Sequence, residues 1–89
     1  MSVLVTSTFA NVPQSDYDAM IDGMRPRFLA APGFVAHVAV VQDGGFKVTE
    51  IWESEDDART WLRDVITPAM ENAGGTAPTV NMEPIHAAI

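Results

Sequence analysis

The chain changes hydrophobic rhythm several times, and each change marks an element. Residues 2 to 9, SVLVTSTF, alternate Val3, Val5, Ser7 and Phe9 against Leu4, Thr6 and Thr8. That period of two, with its β-branched enrichment, predicts a strand. Tyr17, Met20, Ile21, Met24 and Phe28 then recur three and four residues apart, the spacing of one helix face. Ser15, with Asp18 three residues on, reads as a capping-box-like start to that helix. Pro26 lies inside the pattern, where it removes a backbone donor and crowds the carbonyl of Asp22. The helix is therefore expected to kink or end near Arg25, loosened further by Gly23.

Ala31-Pro32-Gly33 supplies turn chemistry, and FVAHVAVVQ (34–42) follows as a nearly continuous apolar strand. Asp43-Gly44-Gly45 is a tight-turn signal, so FKVTEIWE (46–53) is read as the antiparallel partner of that strand. Ser54 with Asp57 forms a second capping signature, and Glu55, Asp56 and Asp57 set negative charge against the positive end of a helix dipole. The helix they open carries Ala58, Trp61, Leu62, Val65, Ile66, Ala69, Met70 and Ala73 on its apolar face, with a late kink at Pro68 and a stop at Gly74-Gly75. TVNMEPIHAAI (79–89) alternates weakly and contains Pro84, which suits an edge strand or a crossing arm. The predicted order is a ferredoxin-like βαββαβ α+β domain over residues 1–89, with two helices on one face of a four-stranded antiparallel sheet.

Size then bears on quaternary state. A chain of 89 residues buries only about 60–65% of its unfolded surface, and without cysteine it has no disulfide to supplement its core. In the second strand Phe34, Ala36, Val38 and Val40 are expected on one side and Val35, His37, Ala39 and Val41 on the other, so both faces are apolar. Two helices cover only one. A homodimer that pairs the open faces, a dimeric α+β barrel, is the simplest closed solution.

A formal net charge of −7 repels phosphate backbones and anionic lipid, so neither nucleic acid nor membrane is an expected partner. No stretch approaches the roughly 18 apolar residues of a membrane span. Met1 to Phe9 is too short and uncharged for a signal peptide, and a cytoplasmic protein is expected.

The runs PGFVAHVA (32–39), DGGFKVTEIWES (43–54) and EDDARTWL (55–62), with Pro68 beyond them, resemble the small dimeric α+β-barrel proteins of the antibiotic biosynthesis monooxygenase-like superfamily. The strand ending in Trp-Glu-Ser and leading into an acidic amphipathic helix is the most specific part. The resemblance implies a pocket between sheet and helices. Members include cofactor-independent oxygenases of aromatic polyketides, haem-degrading enzymes, isomerases and cyclases, so the fold is shared more widely than any one reaction. A full Asn, Trp and His set of the oxygenase type does not map onto this chain.

A two-residue turn at the hairpin would place His37 on the same face as Phe46, Val48, Glu50 and Trp52; a three-residue turn would reverse this. In the first case a carboxylate beside an imidazole can fix its tautomer and support it as a general base, making His37 and Glu50 the candidate catalytic pair. The alternative is a core histidine with a satisfied hydrogen bond and a glutamate paired to an arginine. Trp52 and Trp61 are either core aromatics or a flat wall for a ring substrate. Tyr17 and Met24 either pack the first helix or reach a pocket, and His86 is either an exposed or interface residue or a substrate contact. Arg25 and Arg27 flank Pro26 as solvated charge or as an anion site. No His-x-x-x-His or His-x-Glu cluster and no glycine-rich phosphate loop occurs, so neither metal nor organic cofactor is expected. With the resemblance, these residues imply a cofactor-independent, monooxygenase-like enzyme acting on an aromatic or polyketide-like small-molecule substrate in natural-product metabolism. A cyclase or isomerase using the same pocket and a non-catalytic ligand-binding or assembly module are the rival readings.

Overall fold

In a computed structural model, which describes residues 1–75 and 77–89, Asp43 and Gly44 turn the chain in two residues between the paired Gln42 and Gly45. Both have positive φ, 45° at Asp43 and 76° at Gly44, the backbone that matches the twist of a tight hairpin. The turn joins β2 (Phe34–Gln42) to β3 (Gly45–Trp52). β1 (Val3–Phe9) pairs antiparallel with β3 on one side and with β4 (Thr79–Pro84) on the other. The sheet order is β2-β3-β1-β4, so β4 is an edge strand, and Pro84 pairs with Val3 there because the outer side of an edge strand needs no N–H donor. It stops at Pro84, and residues 85–89 continue outside it.

The first helix, α1 (Gln14–Ala30), starts one residue before Ser15, and no side chain caps it. Instead the Pro13 carbonyl accepts from the backbone N–H of Asp16 and of Tyr17, both at 3.1 Å. The helix also runs through Pro26 to Ala30 rather than ending near Arg25. Met24 and Phe28 are both buried in the core, and burying two such side chains, about 1.5–3 kcal/mol each, offsets the roughly 3 kcal/mol of an interior proline.

The second helical stretch begins as predicted, with Ser54 Oγ accepting from the Asp57 backbone N–H at 3.1 Å. It comprises α2 (Glu55–Trp61), a π-helical turn over Leu62–Ile66 and α3 (Thr67–Asn72). The irregularity falls one turn before Pro68, which has no N–H to give the Asp64 carbonyl and whose ring crowds it; the Thr67 N–H reaches five residues back to the Leu62 carbonyl, the π-helical pattern. Between helices and sheet lies a core of Val3, Val5, Met24, Phe28, Trp52, Ala58 and Trp61.

One correction concerns β2. The ladder slips between Phe34 and Ala36, so Phe34, not Val35, lies opposite Trp52. This bulge turns Phe34 onto the helix-covered face, against Trp52 and Phe28. The opposite face keeps Val38 and Val40, 58% and 47% exposed in the single chain. Gly33, at φ 81° just before the bulge, is required twice over: its backbone is left-handed, and a methyl group there would collide with the Asp57 carboxylate.

Candidate functional site

The hairpin register decides the site. With a two-residue turn, His37 lies directly opposite Glu50, and both point under α1 on the face that carries Val48 and Phe46. Glu50 Oε2 meets His37 Nδ1 at 2.7 Å, and Glu50 Oε1 accepts from Trp52 Nε1 at 2.9 Å. On its other side the imidazole meets α1, where Tyr17 Oη lies 2.7 Å from His37 Nε2. The result is a chain of hydrogen bonds, Trp52 to Glu50 to His37 to Tyr17, crossing from β3 through β2 to the helix.

Proton bookkeeping assigns each role. Indole nitrogen only donates, so Glu50 accepts there, and as a carboxylate it accepts at its second oxygen as well. In the neutral imidazole the His37 ring proton is then on Nδ1, and the Nε2 lone pair faces outward. Tyr17 fills it by donating its hydroxyl hydrogen. Glu50 is only 8% exposed, and two donors satisfy a carboxylate that would otherwise be costly to bury. Burial first, and then the Glu50 charge, push the Tyr17 phenol above its ordinary pKa. It therefore stays protonated at neutral pH and serves as donor rather than base.

Aromatic side chains enclose this chain. Tyr17 stacks on Phe46 with centroids 4.6 Å apart, and Phe28 tilts against His37 at 4.9 Å. A cavity of about 300 Å³ opens beside His37. Ile21, Arg25, Phe28 and Leu29 of α1 form one wall; Phe34, Ala36 and His37 of β2 form the other. A second cavity of about 270 Å³ lies across the aromatic core, lined in part by Arg27, Trp52, Asp57, Trp61 and Asp64. The first is the one that His37 lines.

The sequence-predicted residues therefore divide. His37, Glu50, Trp52 and Tyr17 come together. Trp52 is almost wholly enclosed and positions Glu50, whereas Trp61 is buried against Phe28 and Trp52 and lines the second cavity. The Trp61 indole N–H has no partner within the protein, among the described residues. Met24 packs in the core and lines neither cavity. His86 is exposed beyond the end of β4, away from the cluster. Two residues were not singled out in advance. Phe28 follows Met24 by four and was legible as a core position, but Phe34 reached the site only through the bulge. No group of three His, Cys, Asp or Glu among the described residues is placed to hold a metal ion, and no helix among them is long and apolar enough to cross a membrane.

Fold and site together define a ferredoxin-like α+β domain with a carboxylate, an imidazole and a phenol linked beneath its first helix. No protein-family model and no curated protein matches the chain. Solved structures do. The cofactor-independent oxygenase SnoaB from Streptomyces nogalater is 14% identical, with a TM-score of 0.70 over 99% of this chain and 95% of that one. A provisionally assigned antibiotic biosynthesis monooxygenase from Bordetella bronchiseptica is 17% identical, with a TM-score of 0.74 over 97% and 98% of the two chains. Rv0793 from Mycobacterium tuberculosis is 16% identical at a TM-score of 0.73, and the match covers 100% of each chain. The protein has the fold of the antibiotic biosynthesis monooxygenase-like proteins, as the resemblance implied.

Proposed function

We propose that this protein is a cofactor-independent enzyme that removes a proton from a phenol or an activated carbon of an aromatic, polyketide-like small molecule. His37 is the base, Glu50 and Trp52 hold it in the accepting tautomer, and the resulting phenolate or enolate reacts with oxygen in a monooxygenase-like step. The observation that carries the reading is the Tyr17 hydroxyl on His37 Nε2 at 2.7 Å. A phenol already occupies the position that a substrate phenol needs, at hydrogen-bond distance from the base and stacked on Phe46. Because the Tyr17 pKa is raised, a more acidic phenol is the better donor and displaces it. The shared fold with a cofactor-independent oxygenase supports the oxygen step, and proton abstraction is common to that route and to a cyclase or isomerase.

Association belongs to the same proposal. The sheet face carrying Val38 and Val40 packs against the same face of a second copy, forming a homodimeric barrel that leaves the His37 cavity on the helix side.

Two measurements test the chemistry: oxygen uptake with a panel of oxidisable phenols, and entry of solvent deuterium at the acidic carbon of aryl ketones. Replacing His37 by alanine should lower both by about 10²–10⁴-fold. An alanine variant that folds normally and keeps both rates removes His37 as the base. Product formation under strict exclusion of oxygen would instead favour the cyclase or isomerase route.

A further inference from the structure

Arg25 differs from the other cations of this acidic chain. The sequence has five Lys and Arg residues. Arg59 pairs with Glu55 and Arg63 with Asp64. Among the described residues Arg25, Arg27 and Lys47 form no ion pair. Lys47 lies on the outward face of β3, and Arg27 lines the second cavity together with Asp57 and Asp64. Arg25 alone lines a cavity whose described walls contain no carboxylate.

Its placement follows from helix geometry. Tyr17, Ile21, Arg25 and Leu29 form a row four residues apart along α1. Tyr17 reaches His37 at one end of this row; the next three residues line the cavity. The Arg25 charge is felt at the Tyr17 hydroxyl, where it works against the raising effect of burial. At the mouth Leu29 is 74% exposed, an apolar surface beside a cation. The interior is aromatic and aliphatic, from Phe28, Phe34 and Ala36. A volume of about 300 Å³ is at the small end of ligand sites, suited to one or two rings.

We infer that the ligand of this cavity is a small aromatic acid, its ring packed on Phe28 and Phe34, its reacting group at His37 and its carboxylate held by Arg25. This rests on the reading of the cavity as the substrate site and adds the charge and size of the substrate. In a protein of net charge −7 an anion is disfavoured over most of the surface, so one uncompensated guanidinium at a cavity mouth is a selective element. A carboxylate can engage that guanidinium through two parallel hydrogen bonds, which orients the ring as well as retaining it.

The test compares two probes with the same nitrophenol: 4-hydroxy-3-nitrophenylacetate, which carries a carboxylate, and 4-methyl-2-nitrophenol, which does not. Quenching of Trp52 and Trp61 fluorescence reports binding, and phenolate absorbance reports proton loss. The wild-type protein should bind the acid about fivefold more tightly, the upper worth of a partly exposed ion pair. Added salt should shrink that preference. Arg25→Met should abolish that preference, read as the ratio of the two probes' affinities within the variant, and Lys47→Met should leave it intact. Equal affinity for the two probes, an Arg25→Met protein that keeps the preference, or a Lys47→Met protein that loses it would each overturn the inference. Phenolate formation from the bound neutral probe that is lost in His37→Ala would show that the His37 reading survives such a failure. Absence of binding by either probe would remove both.

Discussion

Glu50→Gln separates the role of the carboxylate as an orienting acceptor from its role in packing. Glutamine keeps the shape of the side chain, and its oxygen can still accept from Trp52 Nε1. Its NH2 then faces His37 Nδ1 across the 2.7 Å contact, where two donors cannot meet. The imidazole must move its proton to Nε2 and accept at Nδ1, and Nε2–H then points at Tyr17 Oη as a donor. Charge-assisted bonds worth about 1.5–3 kcal/mol give way to neutral ones of about 0.5–1.5 kcal/mol. Relief of burying a carboxylate offsets part of that loss, so stability should fall by about 0–2 kcal/mol. The lone pair at Nε2 is lost altogether, which should lower proton abstraction by about 10²–10⁴-fold, or roughly 3–5 kcal/mol of barrier. Long-range nitrogen-15 NMR reads the tautomer directly, Nδ1–H in the wild type and Nε2–H in the variant; urea unfolding reads the stability. A Glu50→Gln protein with an unchanged tautomer or an unchanged rate refutes the reasoning. Glu50→Ala is harsher, because it strands donors on both His37 and Trp52 at about 1–3 kcal/mol each. That is a large share of the roughly 4–13 kcal/mol expected for 89 residues.

Tyr17→Phe should tighten the binding of acidic phenols by vacating Nε2, with proton abstraction retained; weaker binding in a titration would instead assign Tyr17 to holding the substrate. The same variant has an alkaline signature: a phenol whose folded pKa is raised from 10.0 contributes stability in full below about pH 10 that is lost as pH climbs through the folded value. Urea midpoints measured from about pH 8 to about pH 11 should fall less steeply for Tyr17→Phe, and parallel curves would contradict the burial argument. Ser54→Ala removes the cap on α2 and should destabilise by about 1 kcal/mol in chemical unfolding; no change would mean that the cap is replaced by water. Lysine at both Val38 and Val40 should convert the dimer to monomer in sedimentation, and a wild-type protein that sediments as a monomer at every concentration would refute the proposed pairing of open faces.

Much of this molecule is local, and what is local can be read along the chain. Asp43-Gly44-Gly45 marks a tight turn along the chain but leaves its length open between two and three residues; the folded hairpin closes it in two, and the period of two then places His37 opposite Glu50 on the face that also carries Trp52. Capping by Ser54 and the apolar row after it place α2 in the same way. Tertiary structure decided the rest, because there long-range packing competes with local preference. Pro26 argues for a helix end, but Phe28 has a core to fill and α1 continues. Regular alternation assigns Phe34 to the open face, but pairing of Trp52 with an aromatic neighbour across a bulge brings it inside. Most consequentially, a helical tyrosine twenty residues away from His37 carries no sequence sign of the bond it makes. Only the packing of α1 across β2 brings that hydroxyl to Nε2, and with it the phenol whose place the proposed substrate takes.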